Sequence, residues 1–221
     1  MNRVHFDREL HTLRDDVMVM GGMVDRAIDR SIAALRQQDL IEARKIIADD
    51  AAINRRRFDI EEHVMQIIAR QQPMAGDLRI VLAALTVVQE LERMGDHAAG
   101  IAKIVVMHGD EPLLKPLIDV PRMADKARDM LERSLQAFIS EDVEASKKIA
   151  QEDDEVDALY NQVYRELITF MLADPRSITR ATYLLWTAHN LERIADRVTN
   201  ICERTVFAVT GRFQEFNVSS Y

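Results

Sequence analysis

The hexapeptide Leu91-Glu92-Arg93-Met94-Gly95-Asp96 returns as Leu191-Glu192-Arg193-Ile194-Ala195-Asp196, 100 residues further on and again inside an apolar run. No other feature constrains the fold as much, because an internal repeat on this scale is one supersecondary unit written twice. The correspondence spreads outward from the hexapeptide. Arg30-Ser31-Ile32-Ala33-Ala34 resembles Arg133-Ser134-Leu135-Gln136-Ala137, and at the same offset of 103 Asp39 falls on Asp142, Lys45-Ile46 on Lys148-Ile149, Asp50 on Asp153 and Ile53-Asn54 on Val156-Asp157. From Leu85 onward the offset is 100, with Leu85 on Leu185 and Ile101 on Ile201. Loops expected around Gln72-Pro73-Met74-Ala75 and Ala173-Asp174-Pro175 absorb the slip.

Each copy has the periodicity of three helices. In the first, Leu10, Leu13, Val17, Met20, Val24, Ile28, Ile32 and Leu35 recur at helical spacing, which predicts a helix from about Phe6 to Gln37. A second helix is expected from an Asp39 cap to about Gln71, and a third from an Asp77 cap to near Gly109. The second copy predicts helices over Pro121 to Ile139, Asp142 to Leu172 and Ser177 to Thr210. The glycine and two prolines of Gly109-Asp110-Glu111-Pro112-Leu113-Leu114-Lys115-Pro116 mark a linker between the copies. The expected fold is all-α: two tandem homologous three-helix bundles built from six long antiparallel helices, over residues 1–110 and 117–212, with a C-terminal tail over 213–221. Gly21-Gly22 falls in mid-helix, where close helix approach or a bend would explain it.

Composition supports this and limits the function. Seven Gly and five Pro are few for 221 residues, and aromatics are only 5%, so aliphatic side chains must fill the core. A net charge of −8 argues against general nucleic-acid binding, which needs a basic surface. The run Arg55-Arg56-Arg57 reads as a solvated helix face. Cys202 is a lone cysteine, expected to be a packing thiol in a helix. The N-terminus lacks the apolar segment of a signal peptide and no charge-free run reaches ~18 residues, so a cytoplasmic protein is expected.

The chemistry lies in the repeated acids. Glu92 and Asp96, like Glu192 and Asp196, stand one turn apart on a single helix face. Two acids on a helix face that is buried need a positive partner. One reading makes that partner an arginine, with Arg93 and Arg193 joining salt bridges between helices or subunits. The other makes it a metal ion: hard oxygen ligands suit Mg²⁺, Ca²⁺ or Mn²⁺, and with His189 nearby also Fe or Zn. A pair of acids needs further donors, and Asp50, Asn54, Asp153 and Asp157 occupy equivalent places in the middle helices. The second copy's stripe also holds His189, Asn200 and Glu203, where the first has Gly100 and Lys103. His97, about 100° round from the pair, is expected on the surface or in a salt bridge. Histidines at di-iron spacing, nucleotide loops, nucleophile elbows and Cys-x-x-Cys are missing, so no catalytic set is legible.

The repeated Leu-Glu-Arg-x-x-Asp motif, the segment Arg70-Gln71-Gln72-Pro73-Met74-Ala75-Gly76-Asp77-Leu78-Arg79 and Met20-Gly21-Gly22-Met23-Val24 together resemble the phosphate-uptake regulator family, PhoU, from Phe6 to about Gly211. The resemblance implies homodimers of two three-helix bundles. It implies metal ions or clusters at Glu92 and Asp96 and at Glu192 and Asp196. It further implies a non-enzymatic, cytoplasmic negative regulator of phosphate transport and homeostasis. Its partners would be the ATPase subunit of the phosphate ABC transporter and the sensor histidine kinase of the phosphate regulon, and it would meet the membrane only through them. Gly100, where the family more often has Asn, leaves the first site less well furnished, so the tighter metal site is expected at Glu192 and Asp196. A metal-dependent hydrolase of a phosphorylated small molecule and a metal-free helical adaptor stay open beside this reading.

Overall fold

The computed structural model describes residues 3–216. Among them are seven α-helices: α1 (Arg3–Gln37), α2 (Leu40–Gln71), α3 (Gly76–His108), α4 (Asp119–Ser140), α5 (Val143–Gln151), α6 (Asp153–Ala173) and α7 (Ile178–Thr210), with a 3₁₀ turn at Pro175–Ser177. These make six rods, since α5 and α6 form one rod broken at Glu152. α1, α2 and α3 pack on one another as the first bundle, and α4, α5–α6 and α7 as the second. The tail expected over 213–221 is described only as far as Phe216.

The local signals that start and stop these helices are the repeated ones. The Asp39 carboxylate accepts from the N–H groups of Ile41 and Glu42, and Asp142 accepts from Ala145 N–H, so both middle rods open on a side-chain cap. The stripe predicted on α1 is core: Leu13, Val17, Met20, Val24 and Ile28 are fully buried. Ser31 and Ser134, matched by the repeat, are both buried and donate to the carbonyls of Ile28 and Leu131.

Two expectations are corrected. Asp77 does not cap α3: the cap position is Ala75, at φ 49°, and Asp77 lies in the first turn, where its charge suits the helix dipole. The rod expected unbroken from Asp142 to Leu172 is interrupted at Glu152. Two cations of α4 hold this carboxylate, Arg133 at 2.6 Å and Lys126 at 2.7 Å, and the local hydrogen bond tightens to Glu152 N–H on the Ile149 carbonyl.

The halves join along two helix pairs, α3 with α7 most extensively, then α1 with α4. Gly21 makes the second contact possible: a Cβ there would lie 2.2 Å from Leu135 Cδ1 of α4. Gly22 faces elsewhere, and a Cβ would meet only Arg26 Nη1 at 3.4 Å. Gly21→Val should therefore cost ~1–3 kcal/mol through overpacking. Gly22→Ala should be neutral or stabilising by up to ~1 kcal/mol through helix propensity, and urea denaturation of the two variants measures the difference.

Candidate metal centres

α3 and α7 lie antiparallel, and their polar side chains show it. Arg79, in the first turns of α3, donates to the carbonyl of Ala208 near the end of α7. Further along α3, Glu90 is bound by Asn200 at 3.1 Å and Arg197 at 3.4 Å, and His97 Nδ1 lies 3.0 Å from Asn190 Oδ1. The two clusters are pseudo-symmetric, because the repeat matches Glu90 with Asn190, His97 with Arg197 and Gly100 with Asn200. Glu90 is only 6% exposed, yet its charge is compensated, Arg93 of its own helix adding a contact at 3.2 Å.

Three readings change here. Asn200, a weaker candidate for the second metal site, is committed to Glu90 across the interface. His97 is neither a surface group nor in a salt bridge; burial lowers its pKa. Gly100 admits the α7 side chain, since a Cβ there would sit 3.0 Å from Asn190 Oδ1. Sequence reasoning did not single out Glu90 or Asn190. The available signal was an acid in an otherwise apolar stretch whose repeat partner is an amide.

In the first bundle, α3 brings Glu92 and Asp96 against Asp50 of α2. Burial, then the charge of Asp96, raises the pKa of Asp50, while Lys103 and the Asn54 amide at 3.0 Å oppose the shift. Glu92 is raised in the same way, by burial and then Asp96, with Arg57 opposing from 3.6 Å. Gly95 allows this approach of α2 to α3, since a Cβ would lie 3.1 Å from Ile53 Cδ1 and 3.5 Å from Asp50 Oδ1. The second copy reverses the volumes, with Ala195 for Gly95 and Val156, which lacks that δ-carbon, for Ile53.

In the second bundle, Asp157 of α6 faces Glu192 and Asp196. Asp157 is raised by burial and by Asp196. Glu192 is raised to about 7 by burial, then by Asp196 and Asp157. Asp196 is raised by burial against the opposing Arg193 and Arg197, Arg193 lying 3.5 Å away. His189 Nδ1 is 3.3 Å from Glu192, and burial lowers its pKa. Asp153 adds to none of these shifts: it is buried near Cys202, where burial, then the charges of Glu203 and Asp153, push the thiol up to about 12. Glu203 accepts the backbone N–H of Phe216. Nor is the arginine run a simple solvated face, because Arg56 pairs with Asp16 and Arg57 with Glu61 and Glu92.

These acids repel one another, and the structure only partly neutralises them. Asp50 Oδ1 and Glu192 Oε2 are buried and accept no hydrogen bond. Oxygen-rich donors short of positive charge fit a hard cation. Among the described residues, however, no group of three or more His, Cys, Asp or Glu side chains is drawn together as a ready metal cage.

A PhoU domain model matches residues 17–105 and again 120–205. The chain belongs to the PhoU family. It is 39% identical over 186 residues to the phosphate-specific transport system accessory protein PhoU homolog of Aquifex aeolicus, covering 84% of each chain. It is 34% identical to the homolog of Clostridium acetobutylicum, covering 98% of this chain and 100% of that one. The crystal structure of PhoU from Pseudomonas aeruginosa is similar with a TM-score of 0.88 at 32% identity, covering 94% of this chain and 100% of that chain. The phosphate transport system regulatory protein PhoU from Streptococcus pneumoniae has the same TM-score at 34% identity, with coverage of 95% and 99%.

The electrostatics yield a pH test. A folded-state pKa of about 7 for Glu192, against 4.5 for an ordinary glutamate, means the native state holds the proton more tightly. Stability of metal-free protein should then fall as pH rises from about 4.5 to about 7. Glu152, held at about 2 by Arg133, works in the opposite sense, its stabilisation being lost as pH falls below 4.5. In chelating buffer at pH 8, Glu192→Gln should raise stability by ~1–2 kcal/mol and flatten the fall between pH 5 and 7. Thermal melts across that range check both.

Proposed function

We propose that this PhoU-family protein is a regulatory accessory subunit of a phosphate transport system. Placed in the cytoplasm as a homodimer, it restrains phosphate uptake and holds the phosphate-starvation response off when phosphate is plentiful. It does so by docking on the transporter's ATPase subunit and on the associated sensor histidine kinase. The observation that carries the reading is likeness along almost the whole chain, in both repeats, to proteins named as accessory or regulatory to phosphate transport. Among the described residues no helix is long and apolar enough to cross a membrane, which suits association through partners. Inhibition by docking requires only that the protein bind one state of its partner more tightly than another.

Asp50, Glu92 and Asp96 would hold a metal ion in the first bundle, and Asp157, Glu192 and Asp196 in the second, with His189 at its edge. Bound there, the ion would supply the positive charge these acids lack and would tie the middle rod of each bundle to its third helix. The first site already has partial compensation from Arg57 near Glu92 and Lys103 near Asp50. At the matching places the second has Tyr160 and Glu203, so the tighter site is expected at Glu192 and Asp196. Fe, Zn, Mn and Mg all remain compatible with such donors.

Deleting the gene should switch on a phosphate-starvation reporter in phosphate-rich medium, and restoring the gene should switch it off; an unchanged reporter would overturn the regulatory reading. Elemental analysis of protein purified without chelators should find metal, with most of it lost in Glu192→Gln/Asp196→Asn and less in Glu92→Gln/Asp96→Asn.

A further inference from the structure

The repeat supplies an internal control for the molecular surface. On the outer side of the first bundle, a groove between α1 and α2 is floored by Val19, Met23, Ala52 and Phe58, with a volume of about 510 Å³. Val19 is 53% exposed and Phe58 57%. Met23 and Ala52 also line an adjoining depression of about 230 Å³, which reaches Ile46, Asp49 and Asp50. The matching positions of the second bundle carry Arg122, Lys126, Glu155 and Asn161. There Lys126 is ion-paired with Glu152 at 2.7 Å and Glu155 at 3.0 Å. The same helix geometry thus tolerates charge at these places, and packing of the bundle does not require the exposed apolar side chains of the first.

From this we infer that the α1–α2 groove of the first bundle is a docking site for an amphipathic helix of a partner protein, with an apolar stripe flanked by acidic residues. Shape and charge select that occupant. The groove follows α2 from Ile46 to Asp59, ~20 Å at a helical rise of ~1.5 Å per residue, the length of three to four turns of a partner helix. Two antiparallel helices offer ridges that a third can enter, and they present no strand edge for an extended peptide. Arg26 lines the adjoining depression and Arg55 the main groove, and among the described residues neither has an ion pair or a hydrogen bond. Beside the apolar floor these two unpaired cations share the groove with the unpaired Asp59 and the depression with Asp50, whose charge the Asn54 amide and Lys103 partly offset.

The inference rests on the regulatory reading in taking the occupant to be a partner protein, but its test needs no identified partner. A displayed library of peptides with a fixed helical apolar stripe and randomised flanking positions is selected on the intact protein. Enrichment of Asp and Glu at the flanks is expected, with binding weakened at least tenfold by Phe58→Glu and by Arg26→Glu/Arg55→Glu. Asn161→Glu, at the matching place in the second bundle, should leave binding unchanged. Phe58 is exposed and packs against the Arg57 guanidinium, 4.3 Å over its ring, which the new carboxylate can pair with, so the variant should stay folded, as circular dichroism checks. Flanks enriched in Lys and Arg, no selected binder, or binders indifferent to Phe58→Glu would overturn the inference. So would conversion of a dimer to a monomer by Phe58→Glu in sedimentation, which would assign the groove to a second copy of the chain. Failure here with a derepressed reporter in the deletion strain would leave the regulatory reading standing.

Discussion

The antiparallel contact of α3 with α7 is the constraint on which the rest of the molecule depends. Each is the third helix of its repeat, and each carries an acid pair. Leu91, Met94, Leu191 and Ile194 are completely buried, and one hydrophobic core runs through both bundles. Burial of a large aliphatic side chain stabilises by about 2 kcal/mol, so this shared core is a major part of the folding free energy. It also forces polar groups inside. Glu90 is tolerated there because Arg197 and Asn200 reach it from the opposite helix. Removing one member of such a group would leave a buried charge uncompensated, so the contact sets the register of the two halves as well as their adhesion.

With α3 and α7 back to back, each acid pair is turned toward the middle rod of its own bundle. There the acids meet Asp50 or Asp157, and burial acts with the neighbouring acid charges to favour protonation of Asp50, Glu92, Asp157 and Glu192. The copies then diverge through their neighbours. Glu90 draws Arg93 toward the interface, whereas its counterpart Asn190 has no charge, and Arg193 turns to Asp196. Arg57 approaches Glu92, whereas its counterpart Tyr160 lies beside the His189 ring. Burial first, and then the charges of Asp196 and Asp157, raise Glu192 to about 7 in spite of the opposing Arg193 and Arg197.

The repeat and the apolar period made the helices legible, because burial of a stripe on α1 is a local consequence of spacing. The Asp39 and Asp142 caps were legible for the same reason: an acid before an apolar run satisfies its own helix start. Asp77 shows where that reasoning stops, since two residues' difference separates a cap from a first-turn acid. The break at Glu152 was hidden, because it depends on Arg133 and Lys126 of another helix. Of the proposed donors, Glu92, Asp96, Glu192 and Asp196 lie beside Asp50 and Asp157. Asn200 and Asp153 had suitable chemistry but were turned elsewhere by the helix packing.

By itself, the sequence determined a duplicated triplet of helices, their caps, their buried stripes and an acid pair on the third helix of each copy. These follow from the 3.6-residue period and short-range hydrogen bonding, which act within one helix. Only the tertiary structure decided which acid faces which cation, that Gly100 makes room for Asn190, and that one outer groove is apolar where its counterpart is ion-paired. Charges 26 to 107 residues apart meet only when helices pack, and the side chains that neutralise them come from other helices.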